Sequence, residues 1–114
     1  MVARRSVRKR TAEVIMAVNA MTGETLGRIG NLSVDGMMLI SSHSMREEQL
    51  FQVQFQLRDA QRTVHRFEVG IQCLWCDEAR TEHTYWTGAK LIDISDSEQA
   101  VLDAWVERAQ EVVP

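Results

Sequence analysis

The amino-acid sequence predicts an all-β fold in which six antiparallel strands form a small β-barrel, followed by one C-terminal α-helix. Three observations support this fold: apolar and polar residues alternate over short stretches, polar or glycine-containing turns separate these stretches, and apolar residues recur at helical spacing near the end of the chain. The 114 residues, of which 45% are hydrophobic, suit one compact domain with one core. We expect a flexible basic arm at 1–11 and the barrel with its helix at 12–114.

Three short strands are predicted in the first half of the chain. Residues 13–21 are apolar and rich in β-branched side chains, and they end at 22–23, where a glycine permits a tight turn. A second strand at 24–29 leads into 30–36, whose glycines and short polar side chains favour a shaped turn over a continuous ladder. The chain then resumes as a strand at 37–40.

The clearest predicted strand lies in the second half, at 51–57, where four apolar residues alternate with three glutamines. A hairpin connection at 58–61 leads into a long strand at 63–75, in which five apolar residues share one parity: Phe67, Val69, Ile71, Cys73 and Trp75. A polar hairpin tip follows at 77–83 and the last strand at 85–92. The two long strands therefore predict an extended antiparallel pair.

A helix is predicted after the last strand. Ser95 and Glu98 fit a capping box, in which the serine oxygen and the glutamate carboxylate satisfy backbone donors at the helix start. We expect the helix to run to about Val112 and to close one side or end of the sheet with an apolar stripe. The stripe consists of Val101, Leu102, Trp105, Ala109 and Val112.

The formal net charge of -3 conceals a basic start to the chain. Five of the 13 basic residues lie among the first ten residues, which contain no acid, and this leaves eight against 16 acidic residues, or -8, for the rest. The asymmetry favours a local anionic partner over a broadly basic surface. We expect the arm to be disordered without that partner, because its charges repel and it offers little apolar surface. The five residues are Arg4, Arg5, Arg8, Lys9 and Arg10.

Two motifs suggest a ligand-binding site. Arg4 and Arg8 form an R-x-x-x-R pair, whose planar guanidinium groups can donate in pairs to phosphate or to guanine and can stack on a purine. Asn31 and Ser33 lie two residues apart, so both would project from one face of an extended segment. Gly36 lacks a Cβ, which permits φ > 0 and lets a ligand approach the backbone closely. Taken singly, the first motif also fits a solvated basic arm and the second an ordinary capped turn.

The order of these features resembles the PilZ domain family: a basic R-x-x-x-R arm, an apolar hairpin, and N-x-S-x-x-G before another apolar strand. The resemblance covers nearly the whole chain and includes 86–93, which looks like the family's last strand and its exit into the capped helix. It implies a six-stranded barrel with a C-terminal helix and binding of the bacterial second messenger cyclic di-GMP. The residues that it assigns to the ligand are Arg4, Arg8, Asn31, Ser33 and Gly36.

Two further residues are candidates for the ligand site. Trp75 lies where some members of that family place an aromatic residue near a guanine, but it also shares the parity of Val69 and Ile71, which fits core packing equally well. Arg5 is a candidate phosphate contact. Because Arg5 and Lys9 are also four residues apart, the register of the arm arginines stays open.

No catalytic or metal-binding pattern is evident in the sequence. Cys73 and Cys76 lie three apart on a predicted strand, which places them on opposite faces and favours separate thiols. His43, His65 and His83 show no ligand spacing with them. We therefore expect no enzymatic activity, no metal and no cofactor besides the ligand. Since no apolar run could span a bilayer or act as a secretory signal, we expect a cytoplasmic protein without membrane insertion.

The expected function is that of a sensor or adaptor, in which cyclic di-GMP orders the arm and changes how an unidentified effector protein docks. The resemblance implies a role in motility, biofilm formation, exopolysaccharide synthesis or virulence. Two alternatives stay open. The first is a PilZ-like module that binds a protein and no nucleotide, and the second is a protein whose basic arm binds nucleic acid. We do not expect nucleic acid to be the partner. The expected assembly is a monomer or a homodimer.

Overall fold

The computed structural model describes the backbone of residues 9–10 and 13–112 and the side chains of residues 13–108. Apart from Lys9–Arg10, the predicted arm lies outside the described residues. The elements of the described chain are β1 (Lys9–Arg10), β2 (Met16–Asn19), β3 (Thr25–Leu32), β4 (Gly36–Ser41), β5 (Leu50–Arg58), β6 (Val64–Glu78), β7 (Tyr85–Asp93) and α1 (Asp96–Val112).

Strands β2 to β7 close into an antiparallel barrel of six strands. Around the barrel they follow the order β3-β2-β5-β6-β7-β4, and β4 pairs with β3 to complete the circle. The two-residue β1 pairs with the end of β3, where Lys9 lies opposite Leu32 and Arg10 opposite Asn31. The predicted fold, a six-stranded barrel with a C-terminal helix, is confirmed.

The core lies inside the barrel and is built from the alternating residues of the long strands. On β5, Val53 and Phe55 are buried while Gln54 between them is exposed. Phe55 lies directly opposite Phe67 of β6, and their rings stack with centroids 4.8 Å apart. Because a period of two places every second side chain on one face, this alternation could be predicted from the sequence.

The predicted capping box is confirmed at the start of α1. The Ser95 N–H donates to Glu98 Oε1 at 3.1 Å, and the Glu98 N–H donates to Ser95 Oγ at 3.2 Å. The other Glu98 oxygen accepts the Glu68 N–H at 2.7 Å, which ties the helix start to β6. Farther along α1, Leu102 and Trp105 are buried in the core. No helix of the described chain is long and apolar enough to cross a membrane.

Strand β3 continues through part of the predicted turn. It extends to Leu32, and only residues 33–35 turn before β4 begins. The β3–β4 register shifts between Ile29 and Asn31, so Gly30 is accommodated as a bulge inside the strand. Leu32 stays in the ladder because its side chain is fully buried in the core.

A second bulge, at Leu74 on β6, changes the face on which the following residues lie. The β6–β7 register shifts between Cys73 and Trp75, so Leu74 has no Cα partner on β7. Cys76 consequently pairs with the buried Thr87 and accepts its hydroxyl hydrogen bond at 3.3 Å. Cys73 is buried in the core, and the partly buried Cys76 packs against the same core. The prediction that the two cysteines lie on opposite faces is wrong, because strict alternation does not continue across a bulge. Both are free thiols, as expected.

Candidate functional site

Ser33 closes the turn between β3 and β4 and is itself fully buried. Its N–H donates to the Gly36 carbonyl at 2.9 Å. Its hydroxyl lies 2.8 Å from Asp35 Oδ1 and 3.2 Å from the Gly36 carbonyl, and can donate to either. The Asp35 carbonyl in turn accepts the Leu91 N–H of β7 at 2.8 Å. The N-x-S-x-x-G sequence therefore forms a compact turn that is bonded to a neighbouring strand.

Gly36 serves a close strand contact and not a positive φ. Among the described residues, Gly23 is the only glycine with positive φ, at 79°. A Cβ at Gly36 would lie 2.5 Å from the carbonyl oxygen of Ala89 on β7. The expectation that Gly36 supplies φ > 0 is therefore wrong. The absence of a side chain instead allows β4 to pair closely with β7 beside the turn.

Asn31 lies on the outer face of the barrel. It is half-buried, and its side-chain amide donates to Met38 Sδ at 3.9 Å, whereas the next residue, Leu32, points into the core. Ser33 already belongs to the turn, and its hydroxyl is directed at Asp35 and the turn backbone. Their spacing predicted that the two side chains project from one face. They do not, because the strand ends between them.

Trp75 lies on the same outer face as Asn31. The Cα pairing runs from Asn31 through Met38 and Gly88 to Trp75, across β3, β4, β7 and β6, and we call these four residues the outer row. Trp75 is 40% exposed, which excludes the core-packing interpretation. Its indole covers Gly88, where a Cβ would lie 2.3 Å from the ring. Three inter-strand spacings, or about 14 Å, separate Asn31 from Trp75.

Arg4, Arg5 and Arg8 lie outside the described residues, so their ligand contacts stay predictions. Strand β1 starts directly after Arg8, and its backbone pairs with Asn31 and Leu32 of β3. The arm therefore joins the barrel beside the first residue of the outer row.

Sequence reasoning missed a groove next to the outer row. The Cα pairing of Arg28, Ile40, Trp86 and Asp77 forms a second row parallel to the first, and Trp86 is 43% exposed. Trp86 could have been found from the alternation of β7, since it precedes a buried residue on a strand of period two. The groove has a volume of about 680 Å³. We call it the outer groove, and its main lining residues are Arg28, Ile40, Trp75, Asp77, Arg80 and Trp86.

The outer groove contains two arginines that are available for a ligand. Among the described residues, neither Arg28 nor Arg80 has an acidic partner at ion-pair distance. An arginine in this state keeps its donors free for an incoming acceptor. Asp77 and Glu78 add negative charge along β6. Within the described ranges, no three His, Cys, Asp or Glu side chains lie close enough together to hold a metal ion.

A larger concavity, of about 740 Å³, lies away from the N-x-S-x-x-G turn, between β2, β5, β6 and α1. Its walls include Met16, Gln56, Arg66 and Trp105, and among the described residues none of the predicted site residues lines it. If volume were the only criterion, this concavity would be the candidate binding site. We place the candidate site at the outer row instead, because the N-x-S-x-x-G turn and the strand that follows the arginine pair meet there.

A family model for the PilZ domain matches residues 3–108. This chain belongs to the PilZ domain family. The matched range contains both the arginine pair and the N-x-S-x-x-G turn, and the resemblance seen in the sequence is confirmed. A comparison with curated protein sequences found no match.

Solved structures share the fold of this PilZ chain. The inhibitor of motility (MotI/DgrA) of Bacillus subtilis is 15% identical, with a TM-score of 0.79 over 97% of this chain and 52% of that one. YcgR from Escherichia coli in complex with c-di-GMP is 20% identical, with a TM-score of 0.70 over 96% and 46%. The PilZ domain of YcgR with c-di-GMP is 17% identical, with a TM-score of 0.65 over 96% and 93%. The chain spans about half the length of the first two, and at these identities the likeness shows the fold alone.

Proposed function

We propose that this PilZ chain is a receptor for cyclic di-GMP that, when occupied, regulates a partner protein. The observation that carries the proposal is the pairing of β1, which directly follows the arginine pair in the chain, with β3 at Asn31 and Leu32, beside the N-x-S-x-x-G turn. The complexes of YcgR with c-di-GMP support the choice of ligand, because they hold it on the same fold. The proposed role is binding without catalysis.

The arginines and Asn31 supply the polar contacts in this proposal. Arg4 and Arg8 donate to the phosphates and to the guanine edges, with Arg5 as a further phosphate contact. Asn31 offers an amide from the outer face, where it also donates to the Met38 sulfur at 3.9 Å.

Ser33 and Gly36 act mainly by shaping the turn. The Ser33 hydroxyl is buried against Asp35 and the turn backbone, so its removal would loosen the segment that presents Asn31. Gly36 keeps β4 close to β7 at the same place. At the far end of the outer row, Trp75 offers an exposed indole on which a base can stack.

Regulation follows from the place where the arm joins the barrel. A ligand held between the arm and the outer row would fix the arm against the barrel surface, and a partner protein would meet a different surface in the bound state. The family resemblance suggests partners in motility, biofilm formation, exopolysaccharide synthesis or virulence, and a cytoplasmic location is part of the proposal.

Calorimetric titration of cyclic di-GMP into the untagged protein tests this function. We expect saturable binding that Arg8→Ala abolishes and that Ser33→Ala weakens. Arg66→Ala is the matched control, because it removes the same charge from an exposed position beside the other concavity. The absence of heat from the wild-type protein at high ligand concentration would overturn the proposal and favour a PilZ-like module that binds only a protein.

A competition experiment separates a guanine-reading site from a general polyanion site. Cyclic di-AMP and single-stranded oligonucleotides should not displace cyclic di-GMP, because adenine presents a donor where guanine presents its O6 acceptor. Displacement by any polyanion, with a steep loss of affinity as salt rises, would instead indicate a basic-arm binder of nucleic acid.

A further inference from the structure

The barrel opens between β2 and β5, where the two strands pair over only a short stretch. The ladder between them consists of two residue pairs and ends at Val18 and Gln54. Met16 and Gln56, which the same register would bring opposite each other, do not pair. Residues 55–58 continue beside β6 without a strand on their other side among the described elements. We call this opening the seam, and it forms one side of the larger concavity of about 740 Å³.

The backbone groups of Gln56 point into the seam. On β5, the Gln52 carbonyl accepts the Ala20 N–H at 2.8 Å, so the even-numbered residues of this strand direct their N–H and C=O groups toward β2. Gln56 lies beyond the last pair with β2, and it therefore belongs to an open strand edge. At the end of this edge, the Arg108 guanidinium donates to the Arg58 carbonyl at 3.1 Å.

The seam has an apolar floor and an apolar rim. The buried side chains of Phe55, Leu57 and Trp105 line the concavity from the core side. Val14 and Met16, which are 72% and 43% exposed, flank the opening. An extended segment laid along β5 would place every second side chain over this floor and its backbone against the open edge.

The charges around the seam favour a basic segment. Three glutamates and two arginines line the concavity. Glu13 and Arg58 pair with each other at 3.7 Å, and Arg66 lies two residues from Glu68 on the same outer face, where it offsets that charge. Glu98 is left without a cation at ion-pair distance among the described residues. Since the chain beyond residue 10 also carries eight basic against 16 acidic residues, a segment with Lys or Arg is complementary.

We propose that the seam is a docking site for an extended basic segment of a partner protein, which adds to β5 as a further strand. The segment follows β5 over about four residues, with apolar side chains over the floor and basic side chains facing outward. The outer row crosses β3, β4, β7 and β6, on the opposite side of the barrel from the seam. Docking at the seam therefore leaves the outer row open, and this inference does not depend on ligand binding.

A designed strand tests the site. The test ligand is the peptide Lys-Val-Lys-Val-Lys-Val, blocked at both ends and labelled with a fluorophore, and its fluorescence anisotropy is measured as the protein is added. We expect saturable binding. The same peptide with N-methyl groups on its central amides keeps every side chain but loses backbone donors, and it should bind roughly tenfold more weakly or worse. The peptide Glu-Val-Glu-Val-Glu-Val should bind more weakly as well, because its charge is reversed.

Two substitutions of one residue separate backbone pairing from side-chain contact. Gln56→Pro removes the N–H that points into the seam and leaves the bonds between β5 and β6 in place, because Gln56 is directed away from β6. We expect it to weaken peptide binding by roughly fivefold or more. Gln56→Ala keeps this N–H and is the matched control, with a much smaller loss. Far-UV circular dichroism should show that both variants are folded.

Three outcomes would overturn the inference. The unmodified peptide binds nothing, or the N-methylated peptide binds as well as the unmodified one, which would show that the concavity takes apolar side chains without strand pairing. Self-association of the protein in analytical ultracentrifugation that Gln56→Pro abolishes would make a second copy of the chain the occupant. None of these outcomes affects the receptor function, which calorimetry with cyclic di-GMP tests separately.

Discussion

At the scale of single residues, two glycines of the barrel show how the same residue type serves different neighbours. A Cβ at Gly36 would meet the backbone carbonyl of Ala89 at 2.5 Å, and backbone in a paired strand cannot move away easily. A Cβ at Gly88 would meet the Trp75 ring at 2.3 Å, and a half-exposed side chain can rotate. Gly36 therefore allows β4 and β7 to pair closely, and Gly88 leaves room for the Trp75 indole.

We predict different costs for the two substitutions. Gly36→Ala should lower the free energy of unfolding by about 1–3 kcal/mol, because the added methyl group forces β4 and β7 apart. Gly88→Ala should cost less, because Trp75 can swing into solvent, and the Trp75 emission should shift to longer wavelength. Urea denaturation followed by fluorescence measures both effects.

Double variants check the cause of each effect. Adding Trp75→Ala should relieve the crowding of Gly88→Ala and leave the cost of Gly36→Ala unchanged. The reverse pattern would contradict the assignment of these two contacts. Gly23→Ala is a useful reference, because Gly23 has no atoms within 4 Å of an added Cβ and its only penalty comes from its positive φ.

At the scale of elements, the sequence predicted those features whose partners lie close along the chain. Ser95 and Glu98 are three residues apart, so the capping box could be recognised from local spacing alone. The bulge at Leu74 could not, because it arises from the pairing of β6 with a distant strand. Every side chain after the bulge changes face, which is why Trp75 and Cys76 departed from the expected alternation.

The helix cap should make stability depend on pH. Partial burial raises the pKa of Glu98, but the hydrogen bonds from the Glu68 N–H and from Ser95 outweigh it and hold the pKa below the ordinary value of 4.5. A carboxyl group with a lowered folded-state pKa stabilises the protein above its unfolded-state pKa and loses that effect as the pH falls through the folded value. We therefore expect Glu98→Gln to be destabilising at neutral pH, by an amount that shrinks as the pH falls below about 4.5.

Urea unfolding over this pH range measures the effect. Glu107→Gln is the matched control, because it removes the same charge from an exposed position on the same helix. A difference between Glu98→Gln and the wild-type protein that stays constant at every pH would show that the substitution acts through packing and not through the charge.

At the scale of the whole molecule, strand patterns and the helix stripe were sufficient to predict the closed barrel, whereas the outer row could not be read from the chain. Asn31 and Trp75 come from different halves of the sequence, and only the registers of three strand pairs place them on one surface. Through the family motif, the sequence predicted the turn at 33–35 and named Asn31, Ser33 and Gly36 as candidate ligand residues, which stay predictions. The alternation of β7 could have indicated that Trp86 points outward, but no local spacing indicates that Trp86 and Arg28 lie in the same groove.

The most direct test of the account is a titration of isotope-labelled protein with cyclic di-GMP, followed by backbone amide NMR. We predict saturable shifts that are largest for the turn residues 33–36 and for the outer row, at Asn31, Gly88 and Trp75, with little change in the β5–β6 hairpin at 59–63. Shifts concentrated around Gln56 and Trp105 would place the ligand in the other concavity. No shifts at saturating ligand would contradict the receptor function itself.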